Sequence, residues 1–228
     1  MLTARHVEAA AIVAALLSFA APADAAMVSY FLNQTNVNPT LTDGVDYARV
    51  DIDDNTANRI TFNITLLGSL TSIAASNFGI QEFAFNVLGT NPLSDATGTN
   101  AQWILPSDWS AEVAPPPNQA DGFGRFEVSV KTQGSTRISP LSFALIGTGL
   151  GLGSFAELSG DPAGEGNVFF GAHVAGFDAS GVTSAYFGGS AAAVVPLPAA
   201  LPLVLSGLAT LGAFGLGRRP REANEARR

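Results

Sequence analysis

Apolar residues recur at every second position in several short segments between residues 27 and 190. In the segment RITFNITLL, for example, Ile60, Phe62 and Ile64 alternate with the polar residues Thr61 and Asn63. A period of two places the apolar side chains of such a segment on one face of a β-strand, whereas a helix would spread them around its axis. The alternation therefore favours strands with one buried face and excludes a mainly helical fold for this region.

Five more segments carry the same pattern. Their apolar sets are Phe83, Phe85 and Val87; Phe126, Val128 and Val130; Leu141, Phe143 and Leu145; Val168, Phe170 and Val174; and, more weakly, Ala48, Val50 and Ile52. Together with the segments MVSYFL and TSAYF, they predict about eight strands. Strands with one apolar face build antiparallel sheets, and two such sheets must cover each other to bury those faces. We therefore predict an all-β domain over residues 26–190, an antiparallel β-sandwich with a jelly-roll-like arrangement.

Four segments between the predicted strands are rich in Gly, Pro, Asn and Asp, which is typical of connectors. They are residues 53–58, 88–100, 114–124 and 159–167. Residues 70–79, with the sequence LTSIAASNFG, favour one or two helical turns. The remainder of the domain has no long segment with a helical period.

The predicted domain is acidic, and the chain contains no cysteine. Between Ala26 and Val195 there are five basic and fifteen acidic residues, a formal net charge of −10. A domain of this charge repels nucleic acid, because a phosphate backbone is bound by clustered Lys and Arg. The lack of cysteine excludes disulfides and thiolate metal sites. We therefore expect no nucleic-acid partner and a fold held by packing and hydrogen bonds alone.

The first 25 residues have the three parts of a secretory signal peptide. Arg5 is followed by an apolar segment, residues 9–20, and then by an Ala-x-Ala cleavage site formed by Ala23 and Ala25. The apolar segment would span roughly 18 Å as a helix, which is too short for a hydrocarbon core of about 30 Å. We therefore expect export through the Sec translocon and cleavage by signal peptidase between Ala25 and Ala26.

A second apolar segment, residues 199–217, has no charged residue. As a helix it would be roughly 28 Å long, enough to cross a bilayer. Five arginines follow it, and they are Arg218, Arg219, Arg221, Arg227 and Arg228. Such a cluster stops translocation and stays on the cytoplasmic side of the membrane. We therefore predict a transmembrane helix that leaves the acidic domain outside.

A rigid extended segment directly precedes this predicted helix. Pro196 and Pro198 fix their own φ angles and push Val195 and Leu197 toward extended conformations. A spacer of small residues, 188–193, separates the segment from the predicted domain. An extended, accessible strand at the membrane face is the shape that a membrane-embedded protease or transpeptidase recognises.

The sequence Val195-Pro196-Leu197-Pro198-Ala199, followed at once by the helix and the arginines, resembles the PEP-CTERM sorting signal of Gram-negative bacteria in its VPLPA variant. The resemblance covers residues 194–228 and assigns residues 191–228 to a C-terminal sorting segment. It implies processing by an exosortase, a membrane transpeptidase, and association with the cell surface or exopolysaccharide. The tail departs from the pattern because acidic and polar residues, Glu222, Asn224 and Glu225, dilute its arginines. A plain single-pass anchor is the alternative.

The sequence gives little support for catalytic chemistry. Without the signal peptide, His173 is the one histidine of the chain, and it falls on the strand face opposite Phe170 and Val174. A histidine needs a positioned partner for catalysis, yet the sequence contains no G-x-S-x-G elbow, no G-x-G-x-x-G motif and no P-loop. We expect His173 to be a solvated or hydrogen-bonded strand residue and the protein not to be an enzyme.

One group of carboxylates could bind a metal. Asp51, Asp53 and Asn55 place oxygen ligands at alternate positions where a predicted strand ends, an arrangement that suits Ca²⁺. The EF-hand pattern would require Gly and Glu where this chain has Thr56 and Phe62. A solvated acidic turn is the simpler interpretation, with weak Ca²⁺ binding as the alternative. We expect no other cofactor.

Trp103 and Trp109 lie in the loop-rich segment AQWILPSDWS. Aromatic rings stack on the faces of sugars, so the pair could form a platform that contacts carbohydrate. Tryptophans that fill the end of a sandwich are the alternative interpretation.

Two functional hypotheses follow. The first is an exported, non-catalytic protein of the cell surface or exopolysaccharide, structural or adhesive, which the C-terminal sorting signal delivers. It would be anchored transiently in the inner membrane and would end at the cell surface or in the extracellular matrix. The alternative is a secreted carbohydrate-binding or carbohydrate-active domain on the same tail, which exposed aromatic residues beside paired carboxylates in a groove would favour.

Overall fold

A computed structural model describes residues 27–88, 102–132 and 135–190, apart from the side chains of residues 114–117. The strands are β1 Met27–Leu32, β2 Gln34–Thr35, β3 Ala48–Thr56, β4 Arg59–Leu66, β5 Ala74–Phe85, β6 Gln102–Ile104, β7 Trp109–Ala120, β8 Gly124–Thr132, β9 Leu141–Ile146, β10 Phe170–Ala179 and β11 Val182–Gly189. One helical turn, α1, spans Gly68–Thr71, and a 3₁₀ turn spans Leu152–Phe155.

These strands form two antiparallel sheets. The five-stranded sheet has the order β1-β3-β4-β9-β6, and the six-stranded sheet has the order β2-β11-β10-β5-β8-β7. Every strand pair within them is antiparallel. The prediction of an all-β antiparallel domain is therefore confirmed. The predicted signal helix and the predicted transmembrane helix both lie outside the described residues, and within those residues no helix has the length and hydrophobicity to cross a membrane.

The inner faces of the two sheets contact each other through aromatic side chains. Phe62 of β4 stacks on Phe143 of β9 at a ring-centroid distance of 4.8 Å and on Phe85 of β5, in the facing sheet, at 5.1 Å. Tyr30 of β1 meets Phe170 of β10 edge-on at 4.8 Å. Since these rings are almost inaccessible to solvent, the main hydrophobic core lies between the sheets.

The chain crosses between the sheets at both edges of the domain. At one edge, β1 of the five-stranded sheet continues through Asn33 into β2 of the six-stranded sheet. At the other edge, β6 leads through a short turn into β7, with Asp108 in a left-handed conformation at φ 64°. Prolines 115–117 lie on β7, and because β7 is an edge strand their missing N–H groups interrupt no ladder on the outer side.

Two local predictions are correct only in part. Of the predicted connector 114–124, residues 121–123 form the turn, but β7 extends through the prolines to Ala120, because an edge strand tolerates prolines that a central strand would not. Residues 70–79 are helical only as far as Thr71, and β5 begins at Ala74. The segment pairs with β10, so tertiary pairing overrides its local helical preference. The described residues contain eleven strands rather than about eight, and the added ones include the short strands β2 and β6.

Candidate functional site

The ladder between β5 and β10 is regular at one end and irregular at the other. His173 pairs with Glu82, but the next residue of β10, Val174, pairs with Ile80, so Gln81 is an extra residue on β5. A second shift follows at once, because Ala175 pairs with Gly79 whereas Phe177 pairs with Ala74. Bulges of this kind bend a strand and re-aim its side chains, and they are frequent beside binding sites.

The second bulge requires unusual backbone conformations. Asn77 has φ 53° and Gly176 has φ 81°, both in the left-handed region. A Cβ atom at Gly176 would lie 2.6 Å from the carbonyl carbon of Asn77, so glycine is the one residue that fits there without displacement of the neighbouring strand. The side-chain amide of Asn77 donates a hydrogen bond to the carbonyl oxygen of Ser135 at 2.8 Å. This contact connects the bulge to the segment before β9.

A pocket of about 350 Å³ opens at these bulges. It lies on the face of the six-stranded sheet that carries His173, opposite the core face with Phe170 and Val174. Its polar lining residues come from β5, β10, β11 and the segment before β9, and they are Ser76, Gln81, Arg137, His173, Thr183 and Ser184. No carboxylate belongs to the lining, as far as the described residues show.

Arg137 is the one basic residue of this lining. Its Nη1 donates to the carbonyl oxygen of Asn77 at 3.1 Å, while its Nε is buried and has no hydrogen-bond partner. Within the described ranges the ion pairs are Arg49 with Asp51 and Lys131 with Glu112, so no acidic side chain neutralises this guanidinium. The pocket is therefore lined by a positive charge that no carboxylate of the described residues pairs with.

A hydrogen-bonded group forms the wall beside His173. The ring of His173 stacks on Tyr186 of β11 at 4.6 Å with an interplanar angle of 15°. The Tyr186 hydroxyl donates to one carboxylate oxygen of Glu82 at 3.0 Å, and the Ser129 hydroxyl donates to the other at 2.5 Å. Both Glu82 oxygens thus have donors, which fixes the orientation of the carboxylate on this face of the sheet.

Burial and nearby charges shift the pKa values of His173 and Tyr186 in opposite directions. Burial lowers the pKa of His173 below its ordinary value, the Glu82 carboxylate opposes this shift, and the charge of Arg137 adds to it. Burial raises the pKa of Tyr186, and its contact with Glu82 raises it further. At neutral pH we therefore expect an uncharged imidazole and an un-ionised phenol at this wall.

A second hydrophobic cluster covers the sheet next to this wall. Its buried members are Ala84, Ala120, Phe123, Phe126 and Val168, and Tyr186 packs against them. Gly188 lets them come close, because a Cβ atom there would lie 2.8 Å from the Phe123 ring. The cluster partly buries Tyr186 and supports the ring on which His173 stacks.

The two tryptophans proposed as a carbohydrate platform are not side by side. Trp109, on β7 of the six-stranded sheet, is only 7% exposed and belongs to the main core. Trp103, on β6 of the five-stranded sheet, packs partly buried against the core, with its ring 6.4 Å from that of Phe143. The structure therefore brings neither ring to the pocket.

The residues proposed for weak Ca²⁺ binding lie on the outer face of the five-stranded sheet. The carboxylate of Asp51 accepts hydrogen bonds from Ser29 Oγ at 2.6 Å and from Arg49 Nε at 2.9 Å. Asp53 accepts the backbone N–H of Asn55 at 3.4 Å. Across the described residues no group of three or more His, Cys, Asp or Glu side chains is arranged to hold a metal ion.

The sorting motif, the arginines after it and the signal cleavage site lie outside the described residues. These are Val195, Pro196, Leu197, Pro198 and Ala199; Arg218, Arg219, Arg221, Arg227 and Arg228; and Ala23, Ala25 and Ala26.

Sequence reasoning missed the pocket and all of its lining except His173. The residues that matter most, Gln81 and Arg137, are ordinary polar residues in the sequence, and the shifted register brings them together. The one local signal was Gly176 inside the strand GAHVAGF, since a glycine within a strand often marks a bulge.

Comparisons of the chain with protein-family models, with curated proteins and with solved structures found no match.

Proposed function

We propose that the protein is an exported, non-catalytic component of the cell surface or exopolysaccharide, structural or adhesive in role, and that an exosortase processes its C-terminal sorting signal. In this proposal the Sec translocon exports the chain, signal peptidase removes residues 1–25, and the C-terminal helix holds it transiently in the inner membrane. The β-domain, which we take to be a jelly-roll-like sandwich, is the part that remains at the surface.

The observation that carries the proposal is the order of features in residues 194–228. The motif Val195 to Ala199, an uncharged helix-length segment and a basic tail follow one another without a gap. Among the described residues the last strand, β11, ends at Gly189, five residues before the VVPLPA segment begins at Val194.

The surroundings of His173 support a non-catalytic role. Its ring stacks on Tyr186, and the nearby Glu82 carboxylate is occupied by two hydroxyl donors. The Ser129 hydroxyl that donates to Glu82 is fully buried, so a substrate in solvent cannot reach it as a nucleophile.

The pocket favours carbohydrate binding as the second candidate function. Its wall of hydroxyl and amide groups, with no carboxylate among the described lining residues, suits binding of a polar ligand better than glycoside hydrolysis. Hydrolysis of that kind uses a pair of carboxylates across the bond. A carbohydrate-binding domain on the same tail would retain every step of export and sorting.

Sorting can be tested by the mass of the mature protein. Wild type and a Pro196→Ala/Pro198→Ala variant would be recovered from fractionated cells, with Pro220→Ala, outside the motif, as the matched control. We expect wild type and control to lose Arg228 and to reach the surface fraction, and the double variant to keep Arg228 and to remain in the inner membrane. Identical processing and localisation of all three proteins would contradict the proposal.

A further inference from the structure

We propose that the pocket at the β5–β10 bulges binds a small polyhydroxylated carboxylic acid, such as a uronic acid unit, with its carboxylate on Arg137. The inference concerns the described β-domain and does not depend on how the C-terminal tail is processed.

The charge at Arg137 selects the carboxylate. The domain is strongly acidic, yet this guanidinium has no acidic partner among the described residues. Its Nη1 donates to the carbonyl oxygen of Asn77, which orients the guanidinium. Nε is buried, whereas Nη2 is not and makes no hydrogen bond within the described residues. A ligand carboxylate in the pocket would accept a charge-assisted hydrogen bond from Nη2.

The remaining polar groups favour a ligand with several hydroxyls. The side chains of Ser76, Gln81, Thr183 and Ser184 line the pocket from β5 and β11. None of them makes a side-chain hydrogen bond within the described part of the chain. Hydroxyl and amide groups both donate and accept, so they match sugar hydroxyls, which do the same.

His173 adds a further neutral contact. With its pKa lowered by burial, the imidazole offers one N–H donor and one nitrogen acceptor at neutral pH. Arg137 is then the one formal charge among the described lining residues. A ligand with a single carboxylate and several neutral polar groups complements that pattern.

The size of the pocket limits the ligand. A volume of about 350 Å³ is near the lower end of the usual range for small-molecule sites, about 300–1,000 Å³. It accommodates a single sugar ring or a residue within a polysaccharide. Because the pocket is open to solvent, we expect weak binding for one unit and tighter binding for a chain of such units.

The test compares three probes on the chain as recovered from cells. Binding of glucuronate, glucose and acetate would be measured by calorimetry at constant pH and ionic strength. A charge-assisted hydrogen-bonded contact corresponds to roughly a ten-fold to hundred-fold change in affinity. We therefore expect glucuronate to bind at least about ten-fold more tightly than glucose, which lacks the carboxylate, and than acetate, which lacks the hydroxyls. Equal affinities for glucuronate and glucose, equal affinities for glucuronate and acetate, or no binding of glucuronate would overturn the proposal.

Variants locate the site. Arg137→Gln should weaken glucuronate binding about ten-fold or more, whereas Arg125→Gln, an exposed arginine of β8 outside the pocket, should leave it unchanged. If Arg137→Gln does not fold, glucuronate binding by Ser184→Ala tests the proposal instead. Ser184 is exposed and has no side-chain partner within the described ranges, so its removal should spare the fold and weaken binding several-fold. Unchanged affinity in the folded variant would overturn the proposal.

Discussion

The two ends of the β5–β10 ladder differ in what their residues do. From Glu82 to Phe85 the pairing with β10 is regular, the inward rings of Phe83 and Phe85 are fully buried, and both oxygens of Glu82 have donors. From Ala74 to Gln81 the register shifts twice, and the side chains of Ser76 and Gln81 line an open pocket.

The difference separates stability from binding along a single pair of strands. At the regular end, the rings of Phe83 and Phe85 are packed away from solvent and both oxygens of Glu82 accept hydrogen bonds. Both features stabilise the fold. The bulged end places the Arg137 guanidinium beside an open pocket without a carboxylate among the described lining residues, so its charge is available to a ligand. Truncation of a side chain at the regular end should therefore act mainly on unfolding, and truncation of a side chain that lines the pocket at the bulged end mainly on ligand affinity.

The largest effect is expected from Phe83→Ala. Phe83 is 0% exposed and its ring contacts Phe62, Phe143 and Phe170, so its truncation leaves a cavity between the sheets. We expect the free energy of unfolding to fall by about 3–5 kcal/mol, measured by urea denaturation. Ser184→Ala, at the bulged end, is the control and should change it by less than about 0.5 kcal/mol. Similar losses in the two variants would remove the distinction between the ends.

The second-largest effect is expected from Gly176→Ala, which tests the close approach of the strands at the bulge. Gly176→Ala combines a left-handed φ of 81° with a clash against Asn77, and Gly181→Ala has a φ of 90° but no atom within 4 Å of the added Cβ. The φ penalty alone is about 1–2 kcal/mol. We expect that loss for Gly181→Ala and a loss of about 2–4 kcal/mol for Gly176→Ala in urea denaturation. Equal losses would show that the close approach of the strands is not required.

Ser129→Ala tests the donors of Glu82. The hydroxyl of Ser129 is buried and donates to the carboxylate, so its removal leaves one oxygen without that partner. We expect a loss of about 1–2 kcal/mol in the free energy of unfolding at pH 7. Ser142→Ala on the exposed face of β9 is the matched control, with little expected change. An unchanged free energy of unfolding in Ser129→Ala would mean that water already solvates the Glu82 carboxylate beside His173.

The smallest effect is the pH dependence of stability due to His173. Burial lowers its pKa in the folded state; the facing Glu82 carboxylate raises it, Arg137 lowers it, and the Tyr186 phenol is un-ionised. As the pH falls below the ordinary value of 6.5, the unfolded chain takes up a proton that the folded chain does not, so stability is lost. Urea denaturation of His173→Gln between pH 7 and pH 5 should therefore show a shallower decline than wild type. Parallel declines would contradict the lowered pKa.

Much of the core could be predicted because face alternation is a local property. Ile60, Phe62, Ile64 and Leu66 alternate with less buried residues along β4, as the sequence pattern indicated. The same reasoning placed His173 correctly on the face opposite Phe170. Antiparallel pairing of half-buried strands then leaves few alternatives to two facing sheets.

The second hydrophobic cluster could not be predicted from alternation. Val168 and Phe126 were grouped with Phe170 and Val128, but both pack with Ala84 in the second cluster rather than in the main core. Alternation assigns faces only within a regular strand, and Val168 lies before β10 begins.

The pocket could not be predicted for a related reason. Its geometry depends on two register shifts and on a contact between Arg137 and Asn77, which are 60 residues apart. No local pattern specifies which residue of β5 is left unpaired.

The most direct test of the account uses His173 as an internal probe of the bulged end. The chain contains two histidines, and because His6 lies in the predicted signal peptide, His173 is the single imidazole signal of the mature protein in a ¹H–¹³C NMR spectrum. Its resonances would be followed at fixed pH and ionic strength while glucuronate or glucose is added. We expect a saturable shift with glucuronate and a much smaller one with glucose at the same concentration. An unchanged signal with glucuronate, or the same shift with both sugars, would contradict it.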